Sequence, residues 1–87
     1  MPERIKFSKL KISSLLAPKN GRSTYYDELV PKLALRITAA GSRTFYVVKR
    51  VGGEMIWLKL GKFPDMTVEV AREAAEKALG EFASDDN

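Results

Sequence analysis

Hydrophobic positions along this chain change period twice. Behind Ser8, a residue suited to cap a helix N-terminus, Leu10, Ile12, Leu15 and Leu16 recur at roughly helical spacing until Pro18 closes the segment. Residues 1–7 show no period and read as a loose leader. The stretch PKNGRS at 18–23 is turn material, and Tyr25-Tyr26-Asp27 is compatible with a short strand before Pro31. From Leu33 the period becomes two: Leu33, Leu35 and Ile37 alternate with Ala34, Arg36 and Thr38, the pattern of a half-buried strand. A second strand is predicted from Arg43 to Val51, rich in aromatic and β-branched residues, and a third from Glu54 to Leu60. Gly52-Gly53 between them is a two-residue hairpin signal.

The hairpin sets a register. With Gly52-Gly53 as the loop, Val51 faces Glu54, Arg50 faces Met55, Val48 faces Trp57, Val47 faces Leu58, Tyr46 faces Lys59 and Phe45 faces Leu60. One face then collects Leu35, Phe45, Val47, Leu58 and Leu60, with Lys49 beside Ile56 laying its stem on the core and its ammonium in water. The other face shows Arg36, Thr38, Thr44, Tyr46, Val48, Arg50, Met55, Trp57 and Lys59. A slip of one residue would reverse every one of these assignments.

The last element returns to helical spacing. Thr67 is a good N-cap, and Val68, Ala71, Ala75, Ala78, Leu79 and Phe82 make an apolar stripe able to lie close on a sheet. Glu69, Arg72, Glu73, Glu76 and Lys77 line the other side, with Arg72–Glu76 and Glu73–Lys77 spaced as i,i+4 pairs. Residues 83–87 read as a frayed tail or the start of a linker. The expected fold is α+β: a three-stranded antiparallel sheet on a C-terminal helix, with a short N-terminal helix. Residues 1–87 form one domain in this reading, with an ordered core at about 7–82.

Composition narrows the chemistry. The 87 residues contain no Cys and no His, which removes a disulfide framework, a thiolate nucleophile, an imidazole base and the usual zinc ligands. The serines therefore have no histidine to activate them, the acids sit at solvent spacing, and the glycines form no phosphate-cradling loop. No catalytic residues, metal site, cofactor or small-molecule substrate is expected. Nor is a membrane partner, since no apolar run is long enough to cross a bilayer. A cytoplasmic location is expected.

Charge is informative in its placement. Residues 1–62 carry 13 Lys and Arg against four acids, a balance of +9, whereas residues 63–87 carry two against seven, a balance of −5. A basic body points to an anionic partner, nucleic acid first. The predicted outward face interleaves cations with Trp57 and Tyr46, a patch large enough to need a partner. Three readings stay open on the residues alone: duplex DNA, single strands stacking on Tyr46 and Trp57, and a protein docked on the Tyr46/Val48/Trp57/Met55 face.

The blocks Tyr25-Tyr26-Asp27, Pro31, Leu35-Arg36-Ile37, Gly41-Ser42-Arg43-Thr44-Phe45, Arg50-Val51-Gly52-Gly53, Leu58-Lys59-Leu60-Gly61-Lys62-Phe63-Pro64, Thr67-Val68 and Ala71-Arg72, in this spacing, resemble the N-terminal arm-type DNA-binding domain of phage and genomic-island tyrosine recombinases (integrases). Lys32 and Ala34 stand where that family often has glycine, and Val70 where it often has Glu. The resemblance implies a sheet that reads double-stranded DNA in the major groove at arm sites. It also implies a non-catalytic role, with core-binding and catalytic domains elsewhere in a full-length parent and other integrase protomers as further partners. None of Tyr25, Tyr26 or Tyr46 is then the recombinase nucleophile. The residues expected on DNA are Arg36, Thr38, Arg43, Thr44, Tyr46, Arg50, Trp57, Lys59 and Lys62, with Arg43 and Lys62 on phosphates and Arg36 or Arg50 near base edges.

Overall fold

The structure is a computed structural model that describes residues 3–85, with side chains described for residues 3–80. Its elements are β1 (Glu3–Ile5), α1 (Lys9–Ser14), β2 (Arg22–Asp27), β3 (Leu33–Thr38), β4 (Arg43–Val51), β5 (Glu54–Phe63) and α2 (Val68–Asp85). The strands form a single sheet of five, in chain order from β1 to β5. β1 and β2 run parallel, and every other neighbouring pair is antiparallel.

The sheet is therefore wider than the three strands expected. The presumed leader supplies β1, and Arg22 and Ser23, read as turn, open β2. A parallel pair needs a crossover between its strands. Here residues 6–21, with the α1 turns inside them, make it. Three residues without periodicity carry no local strand signal, so only this non-local pairing defines β1. Ser8 accepts from the Lys11 amide at 3.0 Å to cap α1. In so short an element only one side meets the sheet: Ile12 is fully buried, whereas Leu10 and Leu16, expected to pack, are 84 % and 85 % exposed.

The β4–β5 register runs as expected from Val51↔Glu54 through Tyr46↔Lys59. Gly52 and Gly53 both take positive φ (57° and 86°), the requirement of a tight hairpin turn whose twist matches its strands. The register then shifts at a bulge between Phe45 and Tyr46, so Phe45 faces Gly61 and not Leu60. One extra residue re-phases everything beyond it. Lys62 comes to lie opposite Thr44 on the outer face, and Phe63 turns inward to meet Phe45 edge-on at 6.2 Å. A side chain at Gly61 would press on the methyl of Met66, which packs over it at 3.0 Å from the Cβ position.

The core lies between the inner sheet face and α2. Leu33, Leu35, Ile37, Phe45 and Val47 from the strands meet Val68, Ala71 and Ala75 from the helix, and Phe7, Ile12 and Val30 close the sides. Leu60, Ala78 and Leu79 pack at its margin. Leu58, expected in the core, is 40 % exposed because β5 is the edge strand and no further element covers it there. Phe82 falls outside the described side chains. The helix runs on to Asp85 through residues 83–85, which were expected to fray, and the rest of that tail lies outside the described residues.

Asp27 and Arg72 tie the two layers together. The Asp27 carboxylate is fully buried and accepts from the amides of Phe7 and Val30, each at 3.1 Å. It also accepts from Arg72 Nε at 2.8 Å and Nη2 at 3.2 Å, and Arg72 Nη2 donates to the Phe7 carbonyl at 2.8 Å. Burial alone pushes the Asp27 carboxyl up. The Arg72 and amide hydrogen bonds, with the guanidinium charge, outweigh it and leave the group below its ordinary range. Arg72 thus turns inward from the polar face on which its i,i+4 spacing to Glu76 had put it.

Candidate nucleic-acid interface

Strand alternation and the five pairings sort the outer face. Its charged positions are Arg4 on β1, Arg22 on β2, Arg36 on β3, Arg50 on β4, and Lys59 and Lys62 on β5. Six cations share it with no carboxylate at any strand position of that phase. Glu3, Asp27 and Glu54 take the opposite phase, and Glu69, Glu73 and Glu76 belong to α2, which packs on the inner face. The charge asymmetry legible along the sequence thus becomes an asymmetry between two faces of one sheet.

An aromatic layer sits among these cations. The Trp57 ring lies 5.9 Å from Tyr46, nearly perpendicular to it, and 6.3 Å from Tyr26. The Arg36 guanidinium lies 3.8 Å from the Trp57 ring centroid and 5.2 Å from that of Tyr46, and Arg4 lies over Tyr26 at 5.6 Å. Such contacts bind a cation by the ring quadrupole and hold a long side chain in one place. Between the rings stand small residues. Ala34 is paired with both Tyr26 and Tyr46, and Val48 with Trp57. Both are buried although they point outward.

The expected contact residues separate accordingly. Arg36, Tyr46, Trp57, Lys59 and Lys62 share the outer face, with Arg50 near the hairpin turn. Thr44 has the right phase but is buried, and the Thr38 hydroxyl accepts from the Ser42 amide at 3.2 Å in the β3–β4 turn. Arg43 lies apart from these residues. It pairs with Ile37 and Phe63 on the inner face, where its Nη2 donates to the Leu15 carbonyl at 2.7 Å and its Nη1 to Gly41 at 3.2 Å. Its guanidinium anchors the segment after α1. Arg4, Arg22 and Tyr26 share the outer face without having been expected there. The alternation of Arg22, Thr24 and Tyr26 is a signal present in the sequence, whereas Arg4 has none.

A profile of the arm DNA-binding domain, a domain found in integrases, matches residues 7–87. The chain belongs to the arm DNA-binding domain family. No curated protein matches it. An arm domain is a non-catalytic DNA-binding module. The acid-free, cation-rich outer face is the surface of this arm domain with the right charge for duplex DNA.

Proposed function

We propose that this arm domain binds double-stranded DNA at arm-type sites through the outer face of its sheet, with the β4–β5 hairpin in the major groove. It does so as part of a tyrosine recombinase acting in DNA integration in the bacterial cytoplasm. The observation that carries the reading is the outer face itself: six Arg and Lys, no carboxylate at any of its strand positions, and rings that hold two of the arginines.

Strand spacing constrains the docking. Five strands ~4.8 Å apart span about 19 Å, wider than the ~12 Å major groove of B-DNA. The β3–β4–β5 portion spans about 10 Å and fits. β1 and β2 then lie over the sugar–phosphate backbone, where Arg4 and Arg22 suit phosphates. Lys62, brought outward by the bulge, suits phosphate on the far side.

The competing readings have less support. Val48 is buried, so the apolar patch for a protein partner is smaller than the sequence implied. A base stacking on Trp57 must displace Arg36 from the ring it covers.

Salt titration tests the reading. With about four to six phosphates neutralised, log K for duplex should fall with log[salt] at a slope of about −4 to −5. A slope near zero, or tighter binding to single strands than to duplex, refutes it.

A further inference from the structure

Arg36 differs from the other five outer-face cations in how it is held. It lies on β3, the central strand of the five, flanked by Thr24 on β2 and Thr44 on β4. Its guanidinium rests on Trp57 at 3.8 Å and beside Tyr46 at 5.2 Å. Its Nε is buried and has no hydrogen-bond partner. The two terminal nitrogens are not buried in this way, and among the described residues they donate to no protein acceptor. Arg36 therefore has its inner donor withheld and its outer pair open, with its guanidinium carbon seated 3.8 Å from the centre of an indole ring.

We infer that Arg36 is the guanine-reading residue of this interface, presenting Nη1 and Nη2 end-on to O6 and N7 of one guanine in the major groove, with Trp57 as its positioning residue. The inference rests on the duplex-binding reading above and adds the base and the residue that reads it. Guanine is the base with two acceptors side by side on its major-groove edge, and a planar pair of donors matches them. A guanidinium can grip phosphate with two parallel donors as well, but a phosphate can be met from many directions, whereas the guanine edge is met only in the plane of the base. Arg50, the other candidate for base contact, is exposed beside the hairpin turn and has no ring beneath it among the described residues. The unpartnered Nε is the local cost of this arrangement, and the ring contacts offset part of it.

The test uses the whole 87-residue chain. Preferred duplexes are selected from a randomised library, and each selected guanine is replaced in turn by 7-deazaguanine, which lacks the N7 acceptor. At one position this should weaken the wild type by roughly tenfold or more, and weaken Arg36→Met by less than about twofold. Met keeps the apolar stem over Trp57 and removes the donors, so the loss should show at the guanine contact. Trp57→Leu should lose the guanine preference and Trp57→Phe should keep much of it, in proteins whose melts show them folded. Equal 7-deazaguanine effects in wild type and Arg36→Met, or selected sites with no essential guanine, overturn the inference while leaving duplex binding in place. Absence of salt-dependent binding to any duplex removes the parent reading and this one together.

Discussion

Replacing Asp27 by Asn should be among the most damaging single changes available to this domain. The carboxylate accepts four hydrogen bonds, two from the amides of Phe7 and Val30 and two from Arg72. An Asn can offer one oxygen to these donors and must turn its own NH2 toward the rest. Breaking a buried ion pair by removing one partner costs about 3–5 kcal/mol. The low end, ~3 kcal/mol, is expected here because the Arg72 side chain keeps 19 % exposure and can recover some hydration. Total stability for 87 residues is on the order of 4–13 kcal/mol, so the loss is a large share of it. Urea unfolding followed by circular dichroism reads it directly: with m near 1 kcal/mol per molar, the midpoint should fall by roughly 3 M. The pH dependence carries the same signature. The folded carboxyl sits below its ordinary value, so its stabilisation is complete above about pH 4, where the unfolded chain is also ionised. It is lost as pH falls through the folded value, and the gap between wild type and Asp27→Asn should close there. A midpoint within about 0.3 M of wild type at pH 7, or a gap constant down to pH 2, refutes the reasoning.

Four further substitutions test the face assignments. Phe45→Ala, fully buried against Phe7 and Phe63, should cost on the order of 3–5 kcal/mol in thermal or chemical melts. Tyr46→Ala, its outward neighbour, should cost nearer 1 kcal/mol through its lost contact with Trp57 while weakening duplex binding. Arg43→Met should lower the melting temperature and leave the salt slope of DNA binding intact, because its guanidinium is spent on the carbonyls of Leu15 and Gly41. Lys62→Ala should do the reverse, reducing that slope by about one with an unchanged melt.

Alternation in β3 to β5, the Gly52-Gly53 turn and the alanine stripe of α2 are local signals, and each held as far as the local chain determined it. Register from Val51 back to Tyr46 follows from the turn alone, since two residues of loop leave no freedom in pairing. The outer-face positions on those strands were legible for the same reason. Arg36, Tyr46, Trp57 and Lys59 needed only a strand, a phase and a turn.

What local pattern left open was decided by contacts distant in sequence. β1 exists because residues 3–5 find the edge of β2, more than twenty positions away, and this adds Arg4 to the cation face. The bulge at Leu60 depends on how β5 meets both β4 and Met66, and it alone moves Lys62 outward and Phe63 in. Arg43 and Arg72 look like surface cations in the sequence, yet a guanidinium carries several donors on a long stem and goes where carbonyls or a carboxylate are buried. Those acceptors came from Phe7 and Leu15 on either side of α1, from Asp27 on β2 and from Gly41 in the β3–β4 turn. Alternation and turn chemistry therefore settled which strands form and which way their side chains point. Only the assembled structure, by bringing acceptors and rings to particular arginines, decided which of them serve the fold and which stand on the face available to DNA.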